Sequence, residues 1–211
     1  MPTIAQHIEE IRNLDVANHP THDIKKEKWD ALNYPEKDAL HRAIFVNDII
    51  TLTRADVKAE TDIKTKIMKV LMWGYQMPSG GLHRQYFVSI VNNLNVLESV
   101  FAEIQNKNLN AAEINDVFDR FRAVKGLGIS TYTKLLYFFN VSFEGKKCLI
   151  LDKWVLKSLN YFDEFAGTDW QKTEVCYLTY LNRMDELAEI HHVSSEQLEL
   201  FLFGYFRKNK K

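Results

Sequence analysis

Apolar residues recur at helical spacing along almost the whole chain, and this periodicity excludes most architectures before any motif is considered. Ile4, Ile8 and Ile11 share one face of a first segment, and Leu40, Ile44, Phe45 and Ile49 share one face of a segment opening near Glu36. Residues 63–75 and 83–105 continue the pattern, separated by M-P-S-G-G, where Pro78, Gly80 and Gly81 force a turn. Asn110 followed by Glu113 has the form of a capping box and opens a helix through Phe118 to Arg122. Further helices are expected at about 130–140, 152–162 and 169–191. Ser194 with Gln197 caps a last one, which carries Leu198, Phe201, Leu202 and Tyr205 on one side. The apolar run 148–151 is too short to define a sheet. The expected fold class is therefore all-α, with residues 1–211 forming a single helical domain. The polar stretch N-H-P-T-H-D-I-K-K-E-K reads as linker-like and the tail R-K-N-K-K as frayed.

Composition narrows the function classes. With 211 residues, 46% apolar and 26% charged, the chain has globular composition and enough length to bury a core. No run approaches the roughly 18 apolar residues of a membrane span, and the first residues lack a basic-then-apolar leader, so a cytoplasmic protein with no membrane contact is expected. The two cysteines, Cys148 and Cys176, read as buried thiols and are too few for a four-cysteine cluster. A net charge of -1 does not suit bulk coating of nucleic acid, so any such contact must be local. Residues 125–157 hold six lysines against Glu144 and Asp152, which is either a local basic site or a solvated lysine-rich face. His19 and His22, and His191 and His192, match no metal-ligand spacing and read as surface histidines, so no metal site is expected. A phosphate-binding P-loop is also missing from the sequence.

The informative stretch runs from Phe121 to Leu159. Gly126 and Gly128 flank Leu127 between two helices read as amphipathic, a spacing that turns the backbone tightly while Leu127 plugs the angle. Amides ahead of the second helix point outward with the positive end of its dipole, so Lys125, Gly126, Leu127, Gly128, Ile129 and Ser130 form a candidate phosphate-binding turn. An ordinary helix connection has the same G-x-G pattern. Asp152, 24 residues beyond Gly128, stands at a helix start after Leu149, Ile150 and Leu151. Such a carboxylate is an N-cap, a catalytic group, or both, since one oxygen can cap while the other faces a cleft.

At these residues the chain resembles the helix-hairpin-helix superfamily of base-excision DNA glycosylases, whose hairpin L-P-G-V-G is followed by an apolar stretch ending in V-D. Here V-K-G-L-G-I-S and L-I-L-D-K-W-V stand in those places, with the helix-hairpin-helix at about 111–140 and the next helix from about 152. The resemblance implies DNA as partner, a target base flipped from the duplex, and Asp152 stabilising positive charge on the sugar as the glycosidic bond breaks. In bifunctional members the second residue after the last hairpin glycine is a nucleophilic lysine. Ser130 stands there instead, as in monofunctional members, which argues against lyase activity. Lys134, one turn further on, either presents its amine from a shifted position or is simply solvated. The resemblance implies no cofactor beyond a monovalent cation held on hairpin carbonyls.

The stretch W-G-Y-Q-M-P-S-G-G-L-H-R makes the chain similar to small bacterial proteins of the 8-oxoguanine-glycosylase fold, some of them in anti-phage operons of the CBASS kind. That likeness implies partner proteins from a defence operon. Trp73 and Tyr75, together with Trp154, are candidates for a base pocket, and Arg84 for a phosphate contact. For Trp73, a plain core role competes. Two other function classes stay open: a binding module that recognises a modified purine, a nucleotide or a protein, and a helical scaffold without ligand.

Overall fold

The computed structural model describes residues 2–19, 23–74 and 82–208. It is mostly helical, as the periodicity requires. A 3-10 turn (Ile4–His7) leads into α1 (Ile8–Arg12), followed by β1 (Ile24–Lys25), α2 (Lys26–Asp30), α3 (Lys37–Ile44), β2 (Ile49–Ile50), α4 (Arg54–Ala59) and α5 (Ile63–Gly74). Then come α6 (Leu82–Asn92), α7 (Leu94–Ile104), β3 (Asn108–Leu109), α8 (Ala111–Arg122), α9 (Ile129–Phe138), β4 (Ser142–Phe143) and β5 (Lys146–Lys147). The chain closes with α10 (Lys153–Leu159), α11 (Glu174–His191) and α12 (Ser195–Lys208).

Caps set most of these boundaries. Asn110 Oδ1 accepts from the amides of Ala112 and Glu113, and the Glu113 carboxylate accepts the Asn110 amide, which is the expected box. Ser194 and Gln197 exchange the equivalent pair ahead of α12, which extends through Lys208 rather than fraying at Arg207. The helix expected from 169 starts only at Glu174, because Thr173 caps it while Trp170 turns inward and donates to Phe165 O. The helix expected over 83–105 is two helices meeting at a 64° bend. At the break, Asn93 donates its side-chain amide to Ser89 O, a local bond that competes with the helix ladder. Among the described residues no single helix is long and apolar enough to cross a membrane.

Two small sheets escaped the sequence reading. β1 pairs antiparallel with β2, and β3–β4–β5 form a three-stranded patch, parallel then antiparallel. Each strand is two residues long, too short to leave a period-2 signature. The stretch read as linker-like thus supplies β1 and the start of α2.

The core is a continuous aromatic seam with α9 at its centre. Phe101 of α7 stacks on Phe139 at 4.1 Å and on Phe121 of α8 at 5.7 Å, and Phe121 stacks on Tyr132 of α9 at 5.3 Å. From the other side Trp73 of α5 meets Phe138 edge-on. Every residue from Thr131 to Phe138 is buried, so α9 is packed all round rather than amphipathic as read. Cys148 is buried, and burial pushes its thiol up to about 12, whereas Cys176 is half-buried.

Candidate functional site

The turn between α8 and α9 closes on itself through backbone bonds. Leu127 N donates to Val124 O, Gly128 N to Gly126 O, and Thr131 N and Tyr132 N both to Gly128 O. The amides of Ile129 and Ser130 therefore lie ahead of the first intrahelical donors, at the positive end of a helix of 10 residues. Leu127 and Ile129 are buried and anchor the turn, while Lys125 and Gly128 face solvent. Gly126 has φ +89°, and a Cβ there would meet Tyr86 Cβ at 2.8 Å and Tyr86 Cα at 2.9 Å. Only glycine fits, because the turn is pressed against the α6 backbone. The carbonyls of Val124, Gly126 and Gly128 already accept amides. No step below runs through a cation.

Gly128 presents a different surface: a Cβ at this position would meet nothing within 4 Å. Gly128→Val is therefore expected to fold normally yet weaken binding to DNA of any sequence, because the added side chain stands where a phosphate would approach. Filter binding at fixed salt checks this; unchanged affinity removes the turn from the interface.

The apolar segment 148–151 carries Asp152 into place. It forms no strand; Cys148 N donates to Val141 O, and packed side chains meet backbone groups of the next three residues. Tyr177 OH donates to Leu149 O, Tyr180 OH to Ile150 O, and Leu151 N to Thr133 Oγ1. Asp152 then caps α10: its Oδ1 accepts from Trp154 N at 2.8 Å and Val155 N at 3.1 Å. Both capping bonds land on one oxygen, so the cap does not use Oδ2. The carboxylate is 7% exposed.

Lys134 departs from the solvated role. Its side chain is 7% exposed, and Nζ donates to Ser130 O at 2.8 Å and Ser130 Oγ at 3.2 Å. The amine thus folds back beside Ser130, one turn earlier on α9. Gly74, the last residue of α5, makes room: a Cβ there would stand 2.8 Å from Lys134 Cδ. Burial pulls the amine below the usual lysine range, with the charges of Asp152 and Glu199 opposing.

Behind this group lies a second polar cluster that the sequence reading missed. Arg54 of α4 and Glu199 of α12, 1% and 0% exposed, form an ion pair at 2.7 Å. Arg54 also donates to Tyr137 OH, and its guanidinium lies 5.4 Å from the Trp73 ring centroid. Tyr137 OH donates to Glu196, which also accepts from Lys58 and Lys147. Despite burial, those three donors hold Glu196 down at about 2. Burial pushes the Glu199 carboxyl up in spite of Arg54. For Arg54 the balance is reversed: burial alone would lower it, but Glu199 and Tyr137 hold it above its ordinary value. The signal for Glu199 was present, since it sits three residues before Leu202 on the flank of the apolar face of α12.

The remaining candidates scatter. Trp73 is a core residue at 7% exposure. Trp154 is half-buried under the Lys153 ammonium, 4.9 Å from its ring centroid. Arg84 is exposed and donates to Ala31 O. Tyr75, His22 and the M-P-S-G-G turn lie outside the described residues. His19 is not a surface histidine: it packs edge-on against Trp73 and Phe203. Among the described residues no three histidine, cysteine or acidic side chains gather as a metal site.

Fold and site together define a helical protein in which a glycine turn is followed along the chain by an aspartate that caps a helix. Residues 15–203 match the family described as "Putative 8-oxoguanine DNA glycosylase OGG-like protein", and the chain belongs to that family. Neither the curated proteins nor the solved structures include a match to it.

Proposed function

We propose that the protein binds DNA at the turn spanning Lys125 to Ser130 and cleaves the N-glycosidic bond of an extruded, damaged or modified base. The observation that carries this reading is Asp152, whose Oδ1 holds the start of α10 while Oδ2 is left out of the cap. As the bond breaks, its electron pair leaves with the base nitrogen and positive charge develops on the sugar, opposite the carboxylate. Water adds to the sugar carbon and loses a proton, and the departing base gains one. Lys134 balances the charge of Asp152 and fixes Ser130 through its two donated bonds. Because Asp152 is almost closed to solvent, base entry requires neighbouring elements to move. The hydrophobic cluster running from Ile4 to Leu202 supports one domain. Resemblance to proteins of anti-phage operons suggests modified phage DNA as a substrate source and operon proteins as partners. Base release from duplexes carrying a panel of damaged and modified bases tests the reading; release from none sinks it.

A second reading has the Lys134 amine attack the sugar, favoured by its burial beside Ser130 and its lowered pKa. Its hydrogen bonds to Ser130 O and Oγ hold the amine back, so borohydride is expected to trap no enzyme-DNA adduct. An adduct that disappears in Lys134→Ala would move the nucleophile to α9's second turn.

A further inference from the structure

Two exposed aromatic rings stand among the large apolar side chains of the described residues, Tyr86 and Tyr161, each 39% exposed. Tyr161 packs edge-on against Phe162 and Phe206. Tyr86 makes no ring contact or hydrogen bond to any described residue. Its backbone and Cβ are the atoms on which Gly126 closes, at 2.8 to 3.0 Å from where a Cβ would be. The positive φ of Gly126 and this contact fix the root of the Tyr86 side chain relative to the first-turn amides of Ile129 and Ser130. A ring with no partner among the described residues therefore stands at a set offset from the proposed phosphate-binding turn.

From this placement we infer that Tyr86 stacks on a nucleobase of the strand whose phosphate sits on that turn. A phosphate held by amides carries no sequence information, but it fixes where the neighbouring base falls. A phenol ring offers that base a flat face with little sequence preference, and more to a base already out of its stack than to a paired one. Tyr86 would thus make the protein prefer DNA with an unpaired or locally unstacked base beside the contacted phosphate. The inference rests on the DNA-binding reading of the turn, and Gly128→Val separates the two.

The experiment measures affinity of the full chain for a duplex with one unpaired 2-aminopurine and for its fully paired counterpart, at one salt concentration. Tyr86→Ala, Tyr86→Leu and Tyr86→Phe are compared with wild type and Gly128→Val, with thermal melts confirming that each is folded. Tyr86→Ala and Tyr86→Leu are expected to lose roughly tenfold or more in affinity for the unpaired duplex and to leave 2-aminopurine bright, while Tyr86→Phe keeps both affinity and quenching. Full affinity in Tyr86→Ala, with Gly128→Val impaired, overturns stacking and leaves the turn as the DNA site. Equal losses in Tyr86→Phe and Tyr86→Ala assign the contact to the hydroxyl and also overturn stacking. If Gly128→Val and Tyr86→Ala both bind as wild type, the DNA reading of this face falls with the inference.

Discussion

Asp152→Asn is expected to reduce base release by about a hundredfold or more while moving the thermal midpoint little. The two effects separate because the observed cap and the proposed electrostatic role fall on different oxygens of the carboxylate. Oδ1 accepts from Trp154 N and Val155 N, and an asparagine carbonyl oxygen can take both bonds. Asparagine and aspartate cap about equally well, whereas losing a cap altogether costs about 1 kcal/mol. What asparagine lacks is the negative charge, which would face a cationic sugar in a site of 7% exposure where solvent screens poorly. Removing one preorganised electrostatic group of this kind costs about 100- to 1000-fold in rate. Single-turnover base release with the best substrate of the panel, alongside a thermal melt, measures both quantities. Equal rates in the two proteins would leave Asp152 as a helix cap alone.

The parts of the fold that follow from local chemistry were legible in the sequence. The Asn110–Glu113 box, the Ser194–Gln197 pair and the aspartate ahead of α10 are each closed by residues within three positions of one another. Lys134 was harder to place, because nothing in I-S-T-Y-T-K-L-L-Y-F tells a half-buried helix from one enclosed on all sides. Its burial depends on Gly74, sixty residues earlier, which leaves the groove its methylenes fill. The ion pair of Arg54 and Glu199 is more remote still, since its partners are 145 residues apart and, although Glu199 lies on the flank of an apolar face, nothing local joins it to Arg54. The candidate site is thus half legible: the cap at Asp152 and the glycine turn follow from local sequence, and the charges behind them only from packing. Tyr86 belongs to the second kind, because the role proposed for it rests on the close approach of α6 to Gly126.

That hidden ion pair should dominate the stability of the molecule, and in an asymmetric way. Glu199→Leu removes the carboxylate and leaves the Arg54 guanidinium buried with Tyr137 OH as its remaining hydrogen-bond acceptor. A guanidinium does not shed its proton in the accessible pH range, so the cost is the full one for an orphaned buried charge, about 3 to 5 kcal/mol. Arg54→Leu leaves a carboxyl instead, and a carboxyl can take up a proton. Glu199 is already pushed up by burial, and without Arg54 it rises further. A carboxyl whose folded pKa lies above its unfolded value stabilises the fold fully below the unfolded pKa, and that stability is lost as pH rises through the folded one. Arg54→Leu should therefore come closest to wild type in acid and fall behind as the pH is raised, whereas the Glu199→Leu deficit should narrow with rising pH, because the wild type loses the contribution of its raised carboxyl and the variant has none to lose. The double variant should recover much of either loss. Arg54 Nε and Nη2 and Glu199 Oε1 find no hydrogen-bond partner among the described residues, so the pair is incompletely satisfied and apolar replacement of both costs less than either alone. Denaturant unfolding of the four proteins at about pH 5 and about pH 8 tests the cycle. Additive losses in the double variant, or equal pH dependence in the two single variants, would show that the two charges do not depend on each other.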